Sequence, residues 1–298
     1  MISLQIQSII YKNNISSLLK AVESLSNAIL YCHKNGLDIS TKLYYGDASP
    51  SPVLKQQDIS SIQNKFSNLS FDYLFWGFNS GTAQGHNLLG EKCTAEYMMI
   101  MNPDVILESS CIYELLSVIK EKKIGMAEAR QTPLELSKVY DTNTLETEWA
   151  STACAIIKTH IFKELNGFDY QTFFMYCDDL DFSWRLRLAG YKIVYNPRAV
   201  VFHAKTLSIS GSWKPTSAEI YYSAEAAILM AYKYSNPDRV EKLLSQFDEI
   251  GGADEQKAAN EFRKRKHTNK LPIPIDPEHR IARFIGDFYS QMRFDYNK

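Results

Sequence analysis

Short apolar segments that are typical of β-strands alternate with helical segments over the first two thirds of this 298-residue chain. Residues 3–10, SLQIQSII, alternate and then run apolar, and the next segment has apolar residues at helical spacing, closed by Asn35 and Gly36. Further strand-like segments follow in STKLYYGD, FDYLFWGF, EYMMIMNPDVIL and AGYKIVYNPRAVVFH. Such alternation predicts an α/β fold with a mostly parallel sheet that helices cover on both faces.

Composition limits the classes of protein that fit this pattern. The chain is 45% hydrophobic, enough for a sizeable core, and its formal net charge of -1 gives no general attraction to nucleic acid. Its five cysteines include no CxxC pair, which argues against a disulfide framework and a zinc site. The first residues lack the features of a signal peptide, and no apolar run is long enough to span a membrane. We therefore expect a cytoplasmic protein with no nucleic-acid partner.

The character of the sequence changes near residue 212. We predict an α/β domain over residues 1–211 and a helical C-terminal extension over residues 212–298. Two helical segments open the extension, a highly charged segment follows, and the pattern predicts a last amphipathic helix over about residues 278–293.

Polar residues follow three of the predicted strands, at the sheet edge where α/β proteins bind ligands. Asp47 follows the second strand, and Asn102-Pro103-Asp104 ends the fourth. The third precedes the glycine-rich segment NSGTAQGHNLLG, residues 79–90, whose backbone N–H groups could approach a phosphate or a sugar. An ordinary glycine-rich loop is the alternative, and the Gly-Lys-Ser/Thr of a Walker loop is absent.

Two further residues stand at strand ends. Asp104 is a hard oxygen ligand that suits a divalent cation, although Asn-Pro-Asp is also an ordinary turn sequence. His203 closes the apolar strand AVVFH, where a histidine serves either as a structural hydrogen-bonding group or as a metal ligand.

The segment FFMYCDDLDFSWRLRLAGY, residues 173–191, places three carboxylates at the start of a predicted helix. Asp178 could cap the helix, and Asp181 could pair with Arg185 one turn later. Neither role accounts for Asp179, and a general base that removes a proton from an attacking hydroxyl would suit its position.

Taken together, these motifs resemble family 2 glycosyltransferases with the GT-A fold. The resemblance is to the bacterial branch of rhamnosyltransferases and galactofuranosyltransferases, and it runs from about residue 3 to residue 203. It is carried by NSGTAQGHNLLG, by NPD in place of the family's Asp-x-Asp, and by FMYCDDLDFSWRLRLAGY. His203 also lies 24 residues after Asp179, as the metal-binding histidine of the galactofuranosyltransferases follows the base. The resemblance implies a Rossmann-like, mostly parallel sheet flanked by helices.

The resemblance also implies roles for individual residues. Asp179 would be the catalytic base, with Asp178 tuning it or binding the acceptor, and Asp104 and His203 would hold Mn²⁺ or Mg²⁺. The implied acceptor contacts also include Trp149 and Tyr176. The implied donor-binding residues are Tyr11, Asp47, Asn79, Gly81, Gly85, Asn87 and Asn102.

The implied reaction is an inverting, metal-dependent transfer of a sugar, rhamnose or galactofuranose, from a dTDP or UDP donor. The acceptor would be a hydroxyl of a glycan or lipid-linked glycan in surface polysaccharide or glycolipid assembly. The sequence departs from the family pattern in two respects. On the acceptor side, WASTACAII lacks a glycine that is frequent in the family. The Gln-x-x-Arg-Trp segment of processive synthases is also absent. The alternatives are a noncatalytic module that binds a nucleotide sugar or glycan, and a sugar nucleotidyltransferase.

The C-terminal region allows three interpretations. EFRKRKHTNK is basic and HRIARFIGDFYSQMRF is amphipathic, a pairing that could attach the protein to the inner face of the cytoplasmic membrane. A charged helix packed on the catalytic domain and a homodimer contact explain the same pattern.

Overall fold

A computed structural model describes residues 1–135, 137–203 and 214–294 of the chain. The strands in these ranges are β1 (Ile2–Ile10), β2 (Ile39–Asp47), β3 (Ser70–Phe75), β4 (Tyr97–Met101), β5 (Val105–Leu107), β6 (Ile124–Thr132), β7 (Cys154–Lys158) and β8 (Lys192–His203). The helices there are α1 (Ile15–Lys34), α2 (Gln56–Lys65), α3 (Gly81–Glu91), α4 (Cys111–Ile119), α5 (Thr159–Glu164), α6 (Asp178–Leu188), α7 (Ser217–Lys233), α8 (Pro237–Glu249) and α9 (Ala253–His267).

The eight strands in the described ranges form one mixed sheet in the order β3-β2-β1-β4-β7-β6-β8-β5. The first four in this order pair in parallel, and so do β6 and β8, whereas β7 and β5 run antiparallel to their neighbours. The chain builds outward from β1 to β3 and then crosses to β4 on the other side of β1. The carboxyl ends of β1 and β4 therefore flank the point where the strand order reverses, which is where open α/β sheets bind ligands.

Helix α1 shows why the early elements follow the sequence pattern closely. Asn14 caps it, because its side chain accepts a hydrogen bond from the backbone N–H of Ser16 at 2.8 Å. Its apolar stripe is buried against the sheet, and Gly36, with a φ of 74°, leads the chain out of the helix. The predicted helix and its closing Asn-Gly are confirmed.

Helices cover both faces of the sheet, which confirms the predicted α/β class. On one face, the buried core joins the strands to α1, α2 and α4. On the other face, a second buried cluster contains residues of α3, α5 and α6, among them Ala83, Ile161 and Phe182.

The C-terminal helices α7 to α9 pack on α6 through a third buried cluster. Leu180 and Trp184 of α6 lie in this cluster together with Ile228 of α7, Leu243 of α8 and Phe262 of α9. Helix α7 begins with a capping box, in which Thr216 and Glu219 bind each other's backbone N–H groups. The predicted domain boundary at residues 211 and 212 lies outside the described residues.

The prediction of a helix over about residues 278–293 is wrong. The described chain after α9 is irregular, and Asp276 turns it by accepting hydrogen bonds from the backbone N–H groups of Arg280, Ile281 and Ala282 at 2.8 to 3.0 Å. The apolar residues that suggested a helix, including Phe284 and Tyr289, instead pack against the α6–α9 cluster. We call residues 285–294 the C-terminal tail.

Candidate active site

Asp104 and His203 are brought together by the pairing of β5 with β8. The short strand β5 begins directly after Asp104, and its first residue, Val105, lies opposite His203. The carboxylate oxygen Oδ1 of Asp104 lies 3.6 Å from Nε2 of His203. Because this separation is too long for a hydrogen bond, it leaves room for a cation between the two atoms.

The histidine ring is oriented by a residue that the sequence analysis missed. Nδ1 of His203 lies 2.9 Å from Oε1 of Gln131 on β6, so it carries the proton there, and Nε2 faces Asp104 with a lone pair. The side-chain nitrogen of Asn102 lies 3.3 Å from the same Nε2. A polar residue inside a buried strand is the signal that could have pointed to Gln131.

The chemistry of these donors fits a divalent cation. A carboxylate is a ligand for Mn²⁺ or Mg²⁺, an imidazole is a ligand for transition-metal ions, and the second ring nitrogen is already held, as in many metal sites. Among the described residues, no group of three or more His, Cys, Asp or Glu side chains could hold a metal ion. Asp104 and His203 would therefore need further ligands to hold a cation.

Asp178 and Asp179 are the first two residues of α6. Cys177 occupies the N-cap position, so the interpretation of Asp178 as the N-cap is wrong. The carboxylate of Asp179 accepts hydrogen bonds from the backbone N–H groups of Leu180 at 2.8 Å and Thr152 at 3.3 Å. Asp178 accepts a hydrogen bond from the hydroxyl of Thr82 on α3 at 2.9 Å. The two acids thus contact different elements.

Burial makes these two carboxyls harder to ionise. It raises the pKa of Asp178 to about 7, with the charge of Asp179 as the second cause. Burial also raises the pKa of Asp179, while its backbone donors, Leu180 and Thr152, act in the opposite direction. Asp178 is therefore partly protonated near neutral pH, and the backbone N–H groups of Leu180 and Thr152 favour the charged form of Asp179.

Asp181 belongs to a structural network. Its carboxylate lies 2.7 Å from Nε of Arg185, which confirms the predicted pair. It also lies 2.5 Å from the ammonium of Lys233 and accepts a hydrogen bond from the hydroxyl of Tyr234 at 3.0 Å. Because Asp181 is fully buried, this network ties α6 to α7 rather than serving a ligand.

A single peptide segment separates the Asp104 side of the site from Asp179. The backbone N–H of Asn102 donates to the carbonyl of Ala153 at 2.9 Å. The backbone N–H of Thr152, the residue before Ala153, donates to the carboxylate of Asp179. The carboxyl end of β4 and the start of α6 therefore lie on either side of this segment.

The start of the glycine-rich segment forms a tight turn against the loop before α6. Asn79 accepts a hydrogen bond from the backbone N–H of Gly81 at 3.2 Å, and Gly81 has a φ of 64°. A Cβ atom at Gly81 would overlap the carbonyl of Phe174, and a Cβ at Gly85 would lie 2.9 Å from Ile9. Both glycines are thus required for close packing.

Three of the predicted donor-binding residues differ from one another in how accessible their side chains are to a ligand. Asn87 binds the backbone N–H and carbonyl of Phe168, both at 2.8 Å, and so clamps that loop. Asp47 is fully buried and accepts hydrogen bonds from Ser49 at 2.9 Å, Val53 at 2.8 Å and the hydroxyl of Tyr73. Tyr11 is exposed at the end of β1. Of the three, Tyr11 is open to a ligand, whereas the other two have their side chains bonded within the protein.

The predicted acceptor residues Trp149 and Tyr176 both precede Asp179 along the chain. The indole N–H of Trp149 donates to the hydroxyl of Ser290 at 3.3 Å. Tyr176 has a φ of 65°, a strained conformation just before α6, and its hydroxyl donates to Glu219 of α7 at 3.2 Å. Both side chains are half-buried, and both contact the C-terminal part of the chain.

This architecture is that of the GT-A fold. A solved structure of GalNAc-T7 with UDP, GalNAc and Mn²⁺ superposes with a TM-score of 0.63, at 11% identity, over 90% of this chain and 55% of that one. At this identity the likeness shows the fold alone.

Sequence comparison gives a more particular relationship. The chain is 23% identical to "Rhamnosyltransferase WbbL" of Escherichia coli K12 over 37% of its own length and 51% of the relative. It is 40% identical over 60 residues, 20% of the chain, to 19% of "N-acetylglucosaminyl-diphospho-decaprenol L-rhamnosyltransferase" of Mycobacterium tuberculosis. The chain thus spans about half of the first relative and about a fifth of the second, and no model of a known protein family matches it. The chain therefore has the GT-A fold and is distantly similar in sequence to bacterial rhamnosyltransferases.

Proposed function

We propose that this protein is an inverting, metal-dependent glycosyltransferase that moves a sugar from a nucleoside diphosphate donor to an acceptor hydroxyl. The observation that supports this proposal best is the placement of Asp179 beside the carboxyl end of β4. One peptide segment, Thr152-Ala153, separates it from the strand end that carries Asn102 and Asp104. A transfer reaction needs a base and a cation site at such neighbouring positions.

Asp104 and His203 are the residues that would hold the cation. When bound, a divalent cation supplies Lewis-acid stabilisation of the charge that gathers on the leaving diphosphate. Gln131 keeps the proton of the imidazole on Nδ1, so that Nε2 presents its lone pair toward Asp104. Asn102, which lacks a carboxylate, contributes by orienting His203.

Asp179 would act as the general base. The backbone N–H groups of Leu180 and Thr152 hold its carboxylate in place and favour its charged form. It would remove the proton of the acceptor hydroxyl while that oxygen attacks the anomeric carbon opposite the leaving diphosphate, and this geometry inverts the anomeric configuration. Asp178, whose pKa is raised to about 7, would carry only part of a second negative charge at neutral pH.

The names of the relatives support a proposal for the donor sugar and the acceptor. Both matched relatives are named as rhamnosyltransferases, which favours dTDP-rhamnose, with UDP-galactofuranose as the second candidate. The name of the mycobacterial relative supports a lipid-linked glycan as acceptor. The turn at Asn79 and Gly81 would approach the donor, and Trp149 and Tyr176 would contact the acceptor sugar.

With this function, the enzyme would act at the inner face of the cytoplasmic membrane, where lipid-linked acceptors would be located. None of the helices in the described part of the chain is long and apolar enough to cross a membrane. A peripheral contact and a homodimer both stay proposals.

The test is donor hydrolysis and transfer with a panel of dTDP- and UDP-sugars in Mn²⁺ or Mg²⁺. We expect metal-dependent release of the nucleoside diphosphate from at least one donor. Donor binding without any turnover would instead support the noncatalytic module.

Two substitutions test the residue roles. Asp179→Asn should lower transfer by about 10²- to 10⁴-fold and leave donor affinity almost unchanged, because it removes the base alone. His203→Ala should weaken metal-dependent donor binding by about 10- to 100-fold. The exposed residues Asp38 and His160 provide the matched controls Asp38→Asn and His160→Ala, which should behave as the wild type. An active Asp179→Asn enzyme would refute the assignment of the base.

A further inference from the structure

A buried ion pair lies behind Asp179 and has no role in the mechanism above. The ammonium of Lys138 lies 2.6 Å from the carboxylate of Glu128 on β6, and the two side chains are 3% and 2% exposed. Lys138 also donates to the carbonyl of Trp149 at 2.9 Å and lies 3.9 Å from the centre of the Trp149 ring. A buried ion pair is costly to desolvate and is weak support for stability on its own, which invites a search for another use.

The segment 149–152 connects this pair to Asp179. At its start, the carbonyl of Trp149 is held by Lys138, and the backbone N–H of Ala150 donates to the hydroxyl of Ser183 on α6 at 3.1 Å. At its end, the backbone N–H of Thr152 donates to Asp179. The segment is thus held by the ion pair on one side and by α6 on the other.

The charges around Asp179 come from several elements. Asp178 and Cys177 precede it on the chain, and Cys177 carries a buried thiol whose pKa is raised by burial, so it remains neutral. Lys138 lowers the pKa of Asp179, while burial raises it more strongly. Burial likewise raises the pKa of Glu128, and Lys138 opposes that change. Lys138 is therefore the cation that both carboxylates face.

We propose that Lys138 is a positioning residue for Asp179: it fixes the segment 149–152, whose Thr152 holds the base, and it supplies the positive charge against which Asp179 ionises. Glu128 is the counter-ion that keeps Lys138 buried and limits its effect. The proposal rests on the proposed function only in naming Asp179 as the base, since the electrostatic coupling exists with or without catalysis.

The two partners give opposite expectations. Lys138→Met removes the cation, and Glu128, left buried without a partner, takes up a proton, so the pKa of Asp179 should rise by about one unit. Glu128→Gln keeps the cation and removes its counter-ion, so the pKa of Asp179 should fall by about one unit. The double variant should return the pKa of Asp179 toward the wild-type value.

The measurement is carbon-13 NMR titration of the aspartate carboxyls, with the Asp179 signal assigned from the Asp179→Asn spectrum. The acidic limb of the rate profile of the active enzyme should move in the same directions. The matched control is the exposed pair Lys192 and Glu146, which has a separation of 2.7 Å. Lys192→Met and Glu146→Gln should leave the Asp179 titration unchanged.

The outcomes separate this inference from the proposed function. Opposite shifts in a protein that transfers no sugar would support the coupling and count against the transferase. Shifts of the same sign, or none, in a folded and active protein would overturn the role of Lys138. Should Lys138→Met fail to fold, the nearly isosteric Glu128→Gln still decides, because an unchanged or raised pKa of Asp179 contradicts the proposal.

Discussion

Asp178 and Asp179 have neighbouring positions but different hydrogen-bond partners. Asp179 accepts from the backbone N–H groups of Leu180 and Thr152, whereas Asp178 accepts from the hydroxyl of Thr82 and from backbone N–H groups at the start of α6. Burial raises the pKa of both carboxyls, and the charge of Asp179 is the second cause of the raised pKa of Asp178. A carboxylate base beside a partly protonated acid suits the deprotonation of a hydroxyl.

Asp178 should make the stability of the protein depend on pH. Its pKa is about 7 in the folded protein, against 3.8 for the ordinary side chain, so the folded state binds the proton more tightly than the unfolded state. The contribution of this group to stability therefore falls as pH rises from about 4 to about 7. The Asp178→Asn variant has no carboxyl to ionise at this position, so it loses no stability in this way as pH rises. The side-chain oxygen of its asparagine can still accept the hydrogen bond from Thr82.

The expected result is a melting temperature of Asp178→Asn that gains on the wild type between about pH 5 and about pH 8, by a few degrees. Thermal unfolding followed by circular dichroism at both pH values measures this. A constant difference between the two proteins would contradict the raised pKa of Asp178.

At the level of single residues, the sequence predicts which side chains suit a functional site better than it predicts which residues these side chains contact. That Asp104 meets His203 depends on the register of β5 against β8, and spacing along the chain does not determine register. The same limit applies to Asp47, whose side chain is bonded to the backbone two residues on, and to Asn87, which is bonded to the backbone of the distant residue Phe168. Polar residues at strand ends indicate a site, but hydrogen bonds to backbone groups compete for the same side chains.

Among the elements, the C-terminal tail shows how an irregular segment can support a helix. Val139 donates its backbone N–H to the carbonyl of Gln291 at 2.8 Å, and Arg293 donates to that of Ser137 at 2.7 Å. Tyr289 packs its ring edge-on against Trp184 of α6, with 6.0 Å between the ring centres. The tail thus holds both the loop that carries Lys138 and the helix that begins with the two acids.

Tyr289→Ala should therefore lower the free energy of unfolding by about 3 kcal/mol, because it opens a cavity beside Trp184. The neighbouring Phe288 is 54% exposed, so Phe288→Ala is the matched control and should cost no more than about 0.5 kcal/mol. Urea denaturation of both variants gives the comparison. Equal losses for the two would show that the tail does not support α6.

Elements with a strong pattern were predictable, and those with a weak one were not. Helix α1 buries a continuous apolar stripe and was predicted, whereas α2, QQDISSIQNK, fully buries only Ile62 and was missed. For the tail, a helix was predicted that does not form. Its apolar residues have helical spacing, but Asp276 and three nearby prolines bend the chain. Long-range packing on Trp184 fixes these residues, and periodicity does not report such contacts.

For the whole molecule, the structure reduces the case for a membrane contact. Three cations of the basic segment are paired: Arg263 with Asp248, Lys264 with Glu261 and Arg265 with Glu225. Part of the apolar face of the predicted membrane surface, including Phe284 and Tyr289, is packed inward, whereas Ile285, Phe288 and Phe294 are exposed. The net charge of -1 adds no general attraction to anionic lipid.

We therefore expect little co-sedimentation with phosphatidylserine vesicles at about 0.15 M salt. Deletion of residues 255–298 would be a poor test, because it removes Phe262 from the core. The exposed residues Lys266 and Lys270 offer a better one. Strong, salt-sensitive binding that is lost on replacing both by glutamate would restore the membrane proposal.

The Asp181 network has a consequence for how this protein can be recombined. Asp181 sits two residues after Asp179, and Lys233 and Tyr234, its buried partners, belong to α7 and the residue after it. A chimera that exchanged only the C-terminal helices with those of a relative would take Lys233 and Tyr234 from this buried carboxylate and leave it paired with Arg185 alone. Donor-side and C-terminal segments are therefore not interchangeable modules, and a swap must carry α6 together with α7.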